Sequence, residues 1–97
     1  MLFYISWKQR AGQGPEELDA GLEVFSRWEA PEGLEFKGFY GRADGGGFCI
    51  CETDSAEALY EAMAPWAGAY LDYEIMPIIE IEKAVELSSK ATAFRKG

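Results

Sequence analysis

The sequence predicts an α+β fold, in which four strands and two helices alternate as β-α-β-β-α-β and a third helix follows. Three observations support this order. Segments with alternating apolar and polar residues recur four times along the chain, as in half-buried strands. Two intervening segments carry apolar residues at helical spacing instead. A glycine-rich turn joins the second and third strand-like segments directly, as in a hairpin.

The chain opens with a predicted strand and a predicted helix. Residues 2–8 are rich in aromatic and β-branched side chains, and the odd positions form the more apolar face. Pro15 suits the first position of a helix, and Glu16 and Glu17 follow it at the positive end of the helix dipole. We therefore expect a helix over residues 15–29, with one buried stripe that comprises Leu18, Leu22, Phe25 and Trp28.

A hairpin comes next in the sequence. Residues 34–41 form its first strand, and strict alternation places Phe36 and Tyr40 on one face and Phe39 on the other. Residues 42–47 include three consecutive glycines and form the turn. Such a turn between two strands lacks the helix and the lysine of a phosphate-binding loop. The second strand of the hairpin spans residues 48–53.

The remaining segments predict a helix, a strand and a final helix. Asp54 as N-cap and Glu57 three residues later form a capping box, and Pro65 closes the helix. Residues 70–79 alternate as a fourth strand. From about residue 80 to residue 95 a last helix has acidic residues at its start and basic residues at its end, the polarity that the helix dipole favours.

This order of elements is that of the ferredoxin-like fold, which we assign to residues 1–79. Residues 80–97 form a C-terminal helix that packs on this domain or on a partner subunit. In the usual strand order, 4-1-3-2, both helices cover one face of the sheet. The other face keeps much apolar surface, namely Tyr4, Phe39 and Met76 or else the opposite set. We therefore expect a homodimer formed through the open sheet face.

Composition excludes several classes of function. The 97 residues include 9 basic and 17 acidic side chains, a net charge of −8, which disfavours binding to nucleic acids or anionic membranes. There is no histidine, so Ser-His-Asp and Cys-His nucleophiles and histidine-based zinc sites are excluded. No secretory leader and no apolar run of ~18 residues is found, so we expect a soluble cytoplasmic protein.

Two carboxylates form the candidate catalytic pair. Asp72 and Glu74 alternate with apolar neighbours and therefore project from one face of the fourth strand. Neighbouring carboxylates raise one another's proton affinity, so one of them could serve as a general base. The other interpretation is a polar or dimer-facing strand with pairing to Lys8 or Lys37.

A second candidate site is aromatic. The tryptophans and tyrosines could line a pocket for a planar ligand, or they could form an aromatic core and a dimer contact. The predicted ligand-binding residues are Tyr4, Trp7, Tyr40, Trp66 and Met76. Cys49 and Cys51 could form a redox or soft-metal pair, but a lone C-x-C without histidine cannot complete a four-coordinate zinc site, and we interpret both as buried core thiols. We expect no metal and no cofactor.

Several motifs resemble those of an uncharacterised bacterial family, domain of unknown function 3303. They are the opening residues 2–7, the segment 47–54 that leads into residues 58–60, and Trp66 followed by residues 71–78. The C-terminal helix lies beyond this resemblance. The resemblance implies a dimeric α+β barrel and carries no established activity. The wider superfamily is similar to haem-degrading monooxygenases, cofactor-free quinone-forming monooxygenases, lactone isomerases and amino-acid-sensing domains.

Two function classes follow from the sequence. The first is a protein that binds a small apolar or aromatic ligand between helices and sheet, or acts as a regulatory or interaction module. The second is a cofactor-independent monooxygenase- or isomerase-like enzyme with Asp72 or Glu74 as its base. An enclosed apolar cavity with a desolvated carboxylate favours the enzyme, and a filled core favours an interaction role.

Overall fold

Four strands and three helices follow the predicted order in the computed structural model, which describes residues 1–97. The strands are β1 (Leu2–Gln9), β2 (Glu35–Gly41), β3 (Gly47–Glu52) and β4 (Leu71–Ile78). The helices are α1 (Pro15–Arg27), α2 (Ala56–Met63) and α3 (Ile81–Lys96). The fold is α+β and consistent with the ferredoxin-like arrangement.

The strands form one antiparallel sheet in the order β2-β3-β1-β4, which confirms the predicted order. The whole of β3 pairs with the first six residues of the other central strand, β1, and Ile5 lies opposite Cys49. The two outer strands, β2 and β4, each leave one edge unpaired. The first and last strands of the fold therefore lie side by side, as a split β-α-β arrangement requires.

The core lies between the central strands and α2. Ile5, Cys49 and Cys51 are at most 1% exposed. Small residues of α2, Ala58 and Ala62, are buried against them, and so this helix approaches the sheet closely. No residue of α1 is buried, which leaves space between α1 and the sheet.

A β-bulge in β2 changes the faces that strict alternation predicts. The pairing with β3 shifts by one residue between Phe36 and Gly38. Because a bulge inserts an unpaired residue, Phe36 and Phe39 lie on the same face, with their ring centroids 5.0 Å apart. Tyr40 lies on the opposite face. The predicted grouping of Phe36 with Tyr40, and of Phe39 with the open face, is therefore wrong.

The start of α2 also differs from the prediction. Ser55 is the N-cap, and its hydroxyl accepts a hydrogen bond from the Ala58 amide at 3.1 Å. Asp54 binds the amino group of Met1 at 2.9 Å instead. The predicted capping box of Asp54 and Glu57 is wrong by one position, because Ser and Asp are about equally good caps and the backbone decides between them.

The glycine-rich connection is a hairpin turn, as predicted. Arg42 and Asp44 form an ion pair of 2.5 Å across it, and the Asp44 carboxylate accepts a hydrogen bond from the Gly46 amide. The Arg42 hydrogen bond, followed by the Gly46 amide, lowers the pKa of Asp44 to about 2. Gly45 has a φ of +93°, a conformation that favours glycine.

The face of the sheet opposite α1 and α2 carries an apolar row, which we call the open face. The ring of Phe48 stacks on Tyr40 at 5.1 Å and contacts Tyr4 at 5.7 Å. Ile50 and Met76 are the cross-strand partners of Tyr4 on its two sides. Met76 is 45% exposed, and no element of the chain covers this row.

The last helix, α3, extends away from the rest of the molecule. None of its residues is buried, and the molecule measures 57 × 30 × 21 Å. Its radius of gyration of 16.8 Å exceeds the roughly 12.5 Å typical of a compact chain of this length. None of the three helices combines the length and apolar character needed to cross a bilayer.

Candidate ligand-binding cavity

An open-mouthed cavity of about 310 Å³ lies between α1 and the sheet. Its floor is formed by β-strand side chains and its outer wall by α1. The aromatic residues that line it are Trp7, Phe25, Trp28, Phe36, Phe39, Tyr40, Trp66, Tyr70 and Tyr73. The volume is at the lower end of the range for small-molecule sites, and the mainly hydrophobic lining is typical of such sites.

Aromatic contacts hold the walls of the cavity together. The ring of Phe25 on α1 lies 5.8 Å from Phe39 on β2 and 6.2 Å from Trp66. Trp28 stands edge-on to both Trp66 and Phe36, at 5.7 and 5.6 Å. These distances fall within the range at which aromatic rings attract one another beyond simple burial. They connect α1 to the edge strand β2 without filling the space beneath the helix.

Trp66 is the best-anchored residue of the cavity. It is 6% exposed, and its indole N–H donates a hydrogen bond of 3.0 Å to the carbonyl oxygen of Gly21 in α1. A Cβ atom at position 21 would lie 3.7 Å from Tyr70 and 3.8 Å from Trp66, which is ordinary van der Waals contact, so this part of α1 faces both residues. A single hydrogen bond thus joins the segment after α2 to the middle of α1.

The polar groups of the cavity are few. Burial, and to a smaller extent the neighbouring Cys49, raise the pKa of the Tyr73 phenol well above its usual range, so it remains protonated. Its hydroxyl makes no hydrogen bond with the protein. Glu17 is the carboxylate at the lining, and it accepts a hydrogen bond of 3.0 Å from the Gly14 amide at the start of α1. No lysine or arginine side chain lines the cavity.

The two cysteines are free and buried side by side. Burial, and then the neighbouring Cys51, raise the pKa of the Cys49 thiol to about 12, and burial also raises the pKa of Cys51. A thiol must ionise to act as a nucleophile or as a metal ligand. Protonated thiols in this position are therefore packing residues, and no group of three or more acidic or cysteine side chains is arranged to hold a metal ion.

The predicted ligand-binding residues separate into two groups. Trp7 and Trp66 line the cavity, whereas Tyr40 borders it but its ring stacks on Phe48 on the open face. Tyr4 and Met76 face each other across β1 and β4 on the open face. Sequence reasoning did not single out the residues of the α1 stripe as site residues, although they form the outer wall; these are Leu18, Leu22 and Phe25. Their helical spacing was visible, but the same spacing is typical of an ordinary core stripe.

Asp72 and Glu74 lie on the face of β4 away from the cavity. Leu71 and Tyr73 line the cavity, so the alternate residues point to the open face. Asp72 is exposed and forms an ion pair of 3.6 Å with Arg10. Glu74 is opposite Ser6 on β1 and is exposed. A catalytic role for either carboxylate stays a prediction.

A comparison with known families identifies the family to which the chain belongs. The model of a family described as domain of unknown function (DUF3303) matches residues 1–92. The chain belongs to the DUF3303 family. The match extends further than the resemblance noted in the sequence, because it includes most of α3. No characterised protein matches the chain.

Proposed function

We propose that this DUF3303 protein binds a small, uncharged aromatic ligand in the cavity between α1 and the sheet. The observation that supports this most directly is the lining: apart from Tyr40, whose ring lies on the open face, eight aromatic residues surround about 310 Å³ of space, and no cationic side chain is present to attract an anion. A filled core was the observation expected for an interaction role. The two carboxylates that the catalytic alternative names as bases, Asp72 and Glu74, lie on the face of β4 away from this cavity.

The proposal is tested with a neutral fluorescent naphthylamine, N-phenyl-1-naphthylamine. All three tryptophans line the cavity, so bound dye quenches their emission by energy transfer. We expect saturable binding with one dye per chain. Replacing Leu18→Glu places a charge on the apolar wall and weakens binding at least about tenfold, or about 1.4 kcal/mol.

Tyr60→Glu provides the matched control. Tyr60 is 79% exposed on α2 and lies outside the cavity, so the same carboxylate there leaves dye affinity unchanged. Absence of energy transfer in the native chain, or an equal loss in both variants, would contradict the proposed function.

We also propose that the protein is a homodimer joined through the open face. The chain exposes 6999 Å², against roughly 5,500 Å² for a compact protein of this mass. The difference exceeds the roughly 800 Å² that each partner buries in a standard interface. The free thiols suit the reducing cytoplasm that we propose as its location.

Light scattering of two neighbouring variants tests the dimer. Met76 lies on the open face and Ile75 on the face of α1 and α2, and the two are 45% and 43% exposed. We expect Met76→Lys to yield monomers at micromolar concentration and Ile75→Lys to remain dimeric. A monomeric native chain, or a dimer that tolerates Met76→Lys, would exclude this interface.

A further inference from the structure

Tyr73 places a phenol on the floor of the cavity. It lies on β4 directly opposite Trp7 of β1, and both residues line the cavity. The pKa of its phenol is raised first by burial and then by Cys49, which lies on β3 beyond the intervening strand β1. The ring of Tyr73 therefore reaches inward from the outer strand, toward the middle of the sheet.

The Tyr73 hydroxyl has no hydrogen-bond partner in the protein. The buried side-chain polar atom that lacks a partner is Oε1 of Gln13, so the Tyr73 oxygen is not sealed between protein atoms. It therefore faces the open space of the cavity. A ligand that fills this space must offer the hydroxyl a partner, because a buried donor left unpaired costs free energy.

Other polar side chains of the lining are already engaged at α1. Nε2 of Gln9 donates a hydrogen bond of 2.8 Å to the carbonyl oxygen of Gly14, and Glu17 accepts one from the amide of the same residue. The Trp66 indole donates to the backbone of α1 at 3.0 Å. These bonds hold the start and the middle of α1, and they leave the Tyr73 hydroxyl free for a ligand.

The surroundings of this hydroxyl define a class of ligand. No cationic side chain lines the cavity, whereas Glu17 contributes a carboxylate, so an anionic ligand meets no opposite charge. The lining is otherwise mainly apolar, so a ligand with many polar groups would lose its hydration without compensation. A carbonyl group on an aromatic ring system fits these conditions. It is uncharged, it accepts a hydrogen bond, and it has no proton that needs an acceptor.

We propose that the cavity prefers neutral aromatic compounds that carry a carbonyl group, and that the Tyr73 hydroxyl donates a hydrogen bond to the carbonyl oxygen. This inference rests on the proposed function, because it names the ligand class of the same cavity. The aromatic walls then supply most of the affinity, and Tyr73 selects among ligands of similar size.

Two probes of nearly equal size test this selectivity. They are 2-acetylnaphthalene and 2-ethylnaphthalene, in which a carbonyl oxygen and two hydrogens occupy the same place. Each displaces N-phenyl-1-naphthylamine from the protein, and the displacement curve gives its dissociation constant. We expect Tyr73→Phe to weaken binding of the ketone about fivefold, or about 1 kcal/mol, and to change binding of the hydrocarbon less than about twofold. The ratio of the two constants cancels any general effect of the substitution on the cavity.

Tyr70→Phe is the matched control. Tyr70 also lines the cavity, but its ring begins beside Gly21, on the wall that α1 forms. The loss of a hydroxyl there should leave the preference for the ketone unchanged.

The infrared carbonyl band of bound 2-acetylnaphthalene reports the hydrogen bond directly. Donation to a carbonyl oxygen weakens the C=O bond, so the band should lie at lower frequency in the native protein and in Tyr70→Phe than in Tyr73→Phe. A change in cavity shape without a hydrogen bond would not produce this pattern. An identical frequency in all three proteins would overturn the proposed bond.

The charge of the ligand is tested with 2-naphthoate. This anion keeps the ring system and the oxygen acceptors of the ketone, but its charge has no partner in the lining. We expect it to bind at least about tenfold more weakly than 2-acetylnaphthalene. Equal or tighter binding would overturn the preference for neutral compounds.

The outcomes separate this inference from the proposed function. A native chain that does not bind the dye would contradict the proposed function and, with it, this inference. A chain that binds the dye but loses both naphthalenes equally in Tyr73→Phe would overturn the role of Tyr73 alone. A selective loss of the ketone in Tyr70→Phe in place of Tyr73→Phe would do the same. In both cases the cavity would remain a site for aromatic compounds.

Discussion

The indole ring of Trp7 lies directly over Gly47, its cross-strand partner in the β1–β3 pairing. A Cβ atom at position 47 would lie 2.6 Å from Cε2 of Trp7 and 2.7 Å from the carbonyl oxygen of Tyr40. Both distances are shorter than real Cβ atoms show. Trp7 can form the floor of the cavity because the strand beneath it has no side chain at this point.

Gly47→Ala should therefore lower the free energy of unfolding by about 1–3 kcal/mol, the usual cost of adding a methyl group to a tightly packed site. The displaced indole should also weaken dye binding. Urea denaturation and tryptophan emission measure the two effects. Gly41→Ala is the control, since a Cβ there meets nothing within 4 Å. If the two substitutions had equal effects on stability and dye binding, the close contact between position 47 and Trp7 would not be the cause of either loss.

The hydrogen bond from Trp66 to Gly21 gives a second prediction. Trp66→Phe keeps an aromatic ring but removes the N–H donor, so it should cost about 1 kcal/mol more than Trp28→Phe. Trp28 lines the same cavity, and its indole N–H donates to no protein atom. Urea denaturation compares the two variants. A cost for Trp28→Phe that equals or exceeds that of Trp66→Phe would mean that the hydrogen bond does not stabilise the position of α1.

The sequence predicted the order of elements and the strand order because both depend on periodic patterns that span many residues. The sequence also predicted correctly which side chains of β1 and β4 share a face of the sheet, since alternation in these strands is uninterrupted. The faces of β2 did not, because a single bulge before Gly38 reverses the alternation for Phe39 and Tyr40. Gly38 itself is a sign of irregularity, since glycine within a strand often marks a bulge.

The candidate site was predictable only in part for a different reason. Alternation shows that Trp7 and Tyr73 each lie on the more apolar face of their strand. It does not show which face of the sheet the helices cover. The predicted residues that line the cavity, such as Trp66, were chosen for their aromatic character. Tyr4 and Met76 share that apolar character but lie on the open face, where the exposed surface and not a cavity explains them.

The position of Asp72 and Glu74 leads to a third prediction. Because both face away from the cavity, Asp72→Asn and Glu74→Gln should change the dye dissociation constant by less than about twofold. The Asp72 pair with Arg10 is exposed, so its loss should change stability by at most about 1 kcal/mol. Dye titration and urea denaturation measure these quantities. A tenfold weaker affinity in either variant would place the ligand on the open face and revive the carboxylate hypothesis.

The buried thiols predict loss of stability at alkaline pH. Burial raises the pKa of Cys49 to about 12, while a thiol in the unfolded chain ionises near pH 8.5. The unfolded state therefore releases protons first. The stability that the protonated thiol provides is fully present below about pH 8.5 and is lost progressively as the pH rises toward 12.

Between pH 8.5 and 9.5 the free energy of unfolding should fall by about 1 kcal/mol through Cys49. Cys49→Ala removes this titrating group, so the decline should be less steep, although the variant is less stable at pH 7. Tyr60→Phe replaces an exposed phenol and should keep the native slope. Urea denaturation at three pH values measures the slopes. An undiminished slope in Cys49→Ala would mean that Cys49 is not the thiol whose ionisation opposes folding.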